Sequence, residues 1–308
     1  MLKNFIICLT ILLLFGFARV PFEASLTEDM REQNILPEKV DQLTREKLGQ
    51  TGAAVTLGGM RSLVASLLNL RAFVEGEKAE WQKLEDTYEL VTTLQPHTII
   101  YWDLGGWQLA YNAAANVSLN AELPEFERER QANLYIEKGD AFLRKGSKLN
   151  PDDWKLDREL ARLWSNPYKK PDPRRAIKHL DDAIDSPEII KNDRDILRRA
   201  KFRELAKQPL QARAAFDFGR ELFEESAHHR TPALCATLFA LQNELSLNES
   251  EQIPFAVLFS SPVTAWQHLS NYFNSQVPQK LPAAGVVNKI RQLENQLEIP
   301  RNQSMINP

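Results

Sequence analysis

Apolar positions recur at spacings of three and four along most of this chain, the period of helices that bury one face. Met60, Leu63, Val64, Leu67, Leu68, Leu70 and Val74 follow that pattern and predict a helix that opens behind Leu57-Gly58-Gly59 and ends near Gly76. Trp81, Leu84, Tyr88, Val91 and Leu94 set out a second helix. Pro96 closes it, because proline lacks an N–H and clashes with the preceding turn. In the third, Trp102, Gly106, Ala110 and Ala114 stand four apart, with Trp107 and Tyr111 on the flank. Small residues at every fourth position let another helix approach closely while the neighbouring aromatics fill the groove beside it.

After a polar break near Pro124, Tyr135, Gly139, Phe142, Gly146 and Leu149 again mix small and large side chains at helical spacing. Asn150-Pro151-Asp152-Asp153 ends that helix and offers aspartate caps to the next, which carries Leu156, Leu160, Leu163 and Trp164. A turn with three prolines spans 166–173. Ala176, Ile177, Leu180, Ala183 and Ile184 then form a short helix closed by Ser186-Pro187. Further helices are predicted over about 192–207 and 209–227. Thr231-Pro232 and Ser261-Pro262 each place a capping hydroxyl before a proline suited to the first helical position. Leu234, Leu238, Leu241 and Leu245, then Trp266, Leu269 and Phe273, and finally Val286, Ile290, Leu293 and Leu297 mark three more apolar faces. Residues 255–259 are short enough for a strand or for one buried helical turn.

Proline turns recur at Leu94-Gln95-Pro96, Leu149-Asn150-Pro151 and Asp185-Ser186-Pro187, with separations of 55 and 36 residues. The second is close to the period of about 34 residues of a tetratricopeptide repeat, and the first requires an insertion. With the small and large alternation of Gly106, Ala110, Tyr111, Gly139 and Phe142, the chain resembles tetratricopeptide-like proteins between about 57 and 225. A narrower resemblance rests on Leu57-Gly58-Gly59-Met60-Arg61, Leu94-Gln95-Pro96, Trp102 and the segment WQLAYN at 107–112. These residues are similar to a family of bacterial tetratricopeptide-like proteins with an apolar N-terminus. The resemblance implies an all-α fold, a superhelix of antiparallel helix pairs with a less regular C-terminal helical section, and a cell-envelope setting. It implies no reaction and no particular partner.

The N-terminus accords with that setting. Lys3 precedes a fourteen-residue apolar run, residues 5–18, with Gly16 and Ala18 as small residues at its end, the pattern of a secretory signal. A bilayer-spanning helix needs about 20 apolar residues, and Arg19 interrupts this run. The expected organisation is a signal peptide or membrane anchor over 1–22, a polar spacer over 23–50, tetratricopeptide-like repeats over 51–227 and a helical extension over 228–308. The chain is expected to be exported, either periplasmic or held at the cytoplasmic membrane through its apolar segment.

Composition narrows the function. The 308 residues are 43% apolar and 26% charged with only 12 glycines, enough for a large helical core. A net charge of −3 offers no global attraction for nucleic acid. Lys191, Arg194, Arg198, Arg199, Lys201 and Arg203 form a local basic run. It reads either as a solvated helix face or as a dock for an acidic partner or anionic lipid, with Arg198 and Arg199 as its candidates. There are two cysteines, and Cys8 lies in the apolar run. Removal of that run leaves Cys235 without a disulfide partner.

Motifs for chemistry are missing from the sequence: there is no GxxxxGKS or GxGxxG, no HExxH and no GxSxG. Adjacent His228 and His229 point to different sides of a helix and chelate one metal poorly. Asp152-Asp153 and Asp181-Asp182 read as helix caps and solvated carboxylates. Neither a catalytic residue, nor a cofactor, nor a metal is expected. Six of the twelve Trp and Tyr residues, namely Trp81, Tyr88, Tyr101, Trp102, Trp107 and Tyr111, fall within 31 positions. Packing between helices accounts for most of them; Trp81 and Tyr101, nearest helix starts, are the candidates to line a partner-binding groove. The expected function is a non-catalytic scaffold for other envelope proteins. Alternatives are a cell-wall or exopolysaccharide module that stacks sugar on the aromatic block and, more remotely, a hydrolase with a helical cleft.

Overall fold

The computed structural model describes residues 60–306. The expected signal or anchor segment, the spacer, Cys8 and the Gly58-Gly59 pair lie outside the described residues. Among the described residues every regular element is helical and no strand occurs. No helix among them is long and apolar enough to cross a membrane. The chain divides into two compact units, Met1–Gly105 and Gly106–Pro308.

In the first unit, α1 (Arg61–Glu77) packs on α2 (Trp81–Leu94), and α3 (Ile99–Trp107) begins after the predicted Pro96 turn. Ala65, Val91 and Leu94 form the centre, with Val64, Leu68 and Tyr101 packed around them. The buried Glu75 carboxylate accepts hydrogen bonds from Thr87 Oγ1 and Arg71 Nε, each at 2.7 Å. A carboxylate inside a core is tolerated only when paired in this way. The apolar stripe predicted for α1 splits in two: Val64 and Leu68 join Ala65 and Ala72 on the packed side, whereas Leu63, Leu67, Leu70 and Val74 face solvent.

In the second unit the helical row of the WQLAYN segment passes into a π-helical stretch, Gln108–Ala113, before α4 (Ala114–Ser118). A π turn admits one extra residue and advances the register, so Ala113 and Ala114 are both buried. The predicted small-residue row nonetheless works as a close contact. Gly139 of α5 (Glu125–Leu149) lies so near Ala110 and Gly106 that a methyl there would meet Ala110 Cβ at 2.6 Å. From α5, the chain continues through α6 (Lys155–Ser165), α7 (Pro173–Ile184), α8 (Lys191–Ala206), α9 (Ala212–Glu225) and α10 (Pro232–Glu244), each packed on the next.

Polar ties fix these pairs. Asp140, fully buried on α5, accepts from Trp164 Nε1 at 2.8 Å and from Arg144 Nε at 2.6 Å. The Arg175 guanidinium lies 3.7 Å from the centroid of the Trp164 ring. The two proline turns that stand 36 residues apart meet: the Ser186 hydroxyl donates to the Asp152 carbonyl, and Trp154 and Ile189 share one apolar cluster. Asp172 caps α7 by accepting from Arg174 N and Arg175 N at 3.0 and 3.1 Å, with Pro173 at the first helical position. That cap sits in a segment whose sequence reads only as a turn.

Thr231 and Ser261 cap α10 and α12 (Pro262–Ser275) as their sequence predicts, accepting from Leu234 N at 3.3 Å and Thr264 N at 3.1 Å. The ambiguous stretch 255–259 resolves as one helical turn, α11 (Phe255–Leu258), and α13 (Val286–Gln296) follows α12. One core runs from Phe202 to Ile306, across the position near 227 where the sequence places its last boundary. Cys235 lies inside it, 4% exposed, with burial pushing its thiol up to about 11. A thiol so placed is inert at neutral pH.

Candidate functional site

An open groove of about 570 Å³ lies over α6, α7 and α8 in the second unit. Helix periodicity supplies its apolar side: Ala161 of α6, Leu180 of α7, and Ile196, Leu197 and Ala200 of α8. Four of these belong to helix faces buried against neighbours or half-buried, whereas Ile196 is 46% exposed. An isoleucine so exposed beside an apolar lining is available to a partner.

Two tyrosines line the groove as well. Tyr111 comes from the π stretch, where Lys169 Nζ donates to its carbonyl at 3.3 Å and lies 5.2 Å from its ring centroid. Burial lowers the Lys169 pKa. Tyr168, in the proline turn between α6 and α7, is 92% exposed. Its backbone N–H donates to Asn166 Oδ1 at 2.9 Å, which holds the turn while the ring projects into solvent.

Arg158, Arg162, Arg203 and Glu204 bring the charge. Arg158 and Arg162 share Glu159, at 2.7 and 2.8 Å. Arg203 donates through Nη2 to Gln279 Oε1, and Glu204 pairs with Lys207 at 2.6 Å. Arg203 Nε and Glu204 Oε2 are buried with no hydrogen-bond partner. Unmet groups of this kind are few in native structures and mark places where polar demand outruns the protein's own supply. The lining is thus apolar at its centre, aromatic at two positions and net basic.

The residues singled out by sequence lie elsewhere. Trp81 is half-buried at the start of α2, and Tyr101 packs into the first unit's core with its hydroxyl 3.5 Å from Ser66 Oγ. Tyr88 and Trp102 are buried; burial pushes the Tyr88 hydroxyl up to about 12, and Trp102 Nε1 donates to the Pro96 carbonyl at 2.8 Å. Trp107 is the most exposed tryptophan of the block, at 46%.

Arg198 is committed within the fold, bonding Glu221 at 2.8 Å and Glu225 at 2.6 Å on α9. Arg199 donates to His229 Nδ1 at 3.2 Å. Lys201 pairs with Asp181 at 2.6 Å, and Arg194 donates to the carbonyls of Ile184 and Ser186. Most of the basic run therefore ties α8 to its neighbours, and Arg203 is its member in the groove. Tyr168 and Arg162 were not legible as site residues. The available signal was an aromatic ring inside a proline turn, a place where a large side chain has little core to enter.

Two clusters bring titratable groups within 4.8 Å: Asp157, His179 and Asp182, and Asp195, Glu225 and His229. Their histidines are spaced by tertiary structure, so no sequence motif marks them. His179 Nδ1 lies 2.8 Å from Asp157 Oδ1, and a carboxylate can only accept, so that nitrogen carries a proton. Burial raises the Asp182 pKa, and Asp157 adds to the shift. In the second cluster Arg199 can only donate, so His229 Nδ1 accepts and the neutral ring holds its proton on Nε2, 3.7 Å from Asp195 Oδ1.

Comparison with known proteins adds no neighbour: no family model, curated protein or solved structure matches this chain.

Proposed function

We propose that this chain is a non-catalytic scaffold of the bacterial cell envelope whose second-unit groove receives an extended segment of another protein. The observation that carries the reading is the combination in one open groove of an apolar floor, the half-buried Tyr111, the exposed ring of Tyr168, and three arginines against one glutamate. An exposed tyrosine and arginines beside apolar surface are the side chains that anchor protein partners. The lining favours a segment with apolar anchors and an acidic residue. The envelope setting rests on the apolar run at 5–18, and the scaffold class on fold-level analogy.

A tetratricopeptide-like stacking is part of the same proposal. Its support is the pair of units that begin at Lys155 and Lys191, 36 residues apart, whose preceding proline turns touch through Ser186 and Asp152. The 25-residue α5 and the π stretch depart from a regular repeat.

The test is photo-crosslinking in cells from the full-length chain, with the reactive group at Tyr168 or at Leu210, which is 93% exposed and outside the groove. One consistent set of envelope proteins captured from 168, not from 210, and lost when Arg162→Glu is added supports the reading. Equal capture from both positions, or capture indifferent to Arg162→Glu, overturns it.

A further inference from the structure

The outer face of α1 has a stripe that the groove does not use. Met60, Leu63, Leu67, Leu70 and Val74 are spaced three, four, three and four, and are 46%, 49%, 59%, 64% and 43% exposed; Phe73 beside them is 58% exposed. The opposite side of the same helix is taken by α2, through Ala65, Leu68 and Ala72. Helix α1 is therefore apolar on two sides, and only one of them is covered within the described residues.

We propose that this stripe is a self-association surface, on which α1 of one copy packs against α1 of a second. Spacing and charge together carry the choice of a helix as occupant. Steps of three and four keep the stripe on one side of α1, where a partner helix can pack along it, and a helix that lies on a lipid surface carries rows of lysine and arginine beside such a face. Only Arg61 and Arg71 are basic between 60 and 74, and Arg71 is drawn to Glu75 at 2.7 Å.

Charge and area carry the choice of a second copy. The positions flanking the stripe, Val64, Ser66, Arg71 and Phe73, include no acidic residue, so they lack the complementary pairs that select a different partner. A single arginine per copy sets little repulsion across a two-fold axis. Each half-exposed side chain presents on the order of 100 Å². Six of them in two copies can bury at most roughly 1,200 Å², which reaches the lower bound of a specific interface. The helix is already folded on α2, so association does not bear the cost of nucleating it. This surface is separate from the groove, and either reading stands without the other.

Leu67 lies at the middle of the stripe, so a two-fold pairing in either orientation brings it near its own copy. A photo-reactive residue in place of Leu67, in the full-length chain in cells, is the test. The expected product has twice the chain mass and joins α1 to α1 in peptide mapping; Leu70→Glu reduces it at least tenfold with the helical circular dichroism unchanged. An adduct of single-chain mass joining α1 to residues 1–59 overturns the proposal, as does an adduct only with lipid, only with a different protein, or none. Should Leu70→Glu lose helical signal, Leu63→Ala with Leu70→Ala, read by sedimentation equilibrium of the detergent-solubilised full chain, replaces it. A dimer that persists undiminished in that variant overturns the proposal equally.

Discussion

Replacing Gly139 by alanine tests the closest helix approach in the second unit. The added methyl would lie 2.6 Å from Ala110 Cβ and 2.8 Å from both Ala110 N and Gly106 O, whereas ordinary contact begins at 3.4 Å. Two of those three atoms are backbone, so no side chain can swing aside. Helix α5 must retreat by roughly 1 Å, and overpacking of this kind costs about 1–3 kcal/mol. Alanine's better helix propensity returns about 1 kcal/mol. The net expectation is a loss of up to about 2 kcal/mol, which for a unit of this size lowers the melting temperature by up to roughly 8 °C. Thermal unfolding followed by circular dichroism reads it directly. Ala110→Gly, which alone costs about 1 kcal/mol of propensity, should cost less in the Gly139→Ala background because it removes the nearest contact. A stabilising Gly139→Ala, with the two changes additive, would refute the close approach and with it the role assigned to the small-residue row. The same retreat displaces the π stretch that carries Tyr111, so capture from Tyr168 should weaken in this variant.

Asp140→Ala leaves the buried Trp164 N–H without its acceptor and removes the partner of Arg144, and is expected to cost about 2–4 kcal/mol, read as a lower urea midpoint; a cost under about 1 kcal/mol would mean that the network contributes little. His229 has its pKa lowered below 6.5 chiefly by burial, partly opposed by Asp195. The folded state thus disfavours the protonated ring, and this contribution is full above about pH 6.5 and is lost as pH falls below it. The drop in melting temperature from about pH 7.5 to about 5.5 should be smaller in His229→Gln, which keeps an acceptor for Arg199 without titrating; identical drops would exclude His229 as its source.

Much of the helical framework was legible because its causes are local. A three-and-four period, a hydroxyl before proline at Thr231 and Ser261, and a proline after Leu94 or Leu149 act within one or two turns of backbone, so neighbours in sequence suffice to set them. Gly106, Ala110 and Gly139 were legible too, since small residues in a row have few uses other than letting a helix approach. Periodicity marks which residues are apolar and on which stripe they fall, but it does not say which stripe another element will cover. Leu63 and Val64 are adjacent in sequence and equally apolar, yet only α2 decides that Val64 is packed and Leu63 exposed. Arg198 and Arg203 stand in one basic run, and their roles separate only because Glu221 and Glu225 of α9 lie beside the first while the second lines the groove. The groove itself draws Tyr111, Arg162, Tyr168, Ile196 and Arg203 from separate elements, and their meeting depends on the packing of α5 through α8, where contacts distant in sequence outweigh local preference.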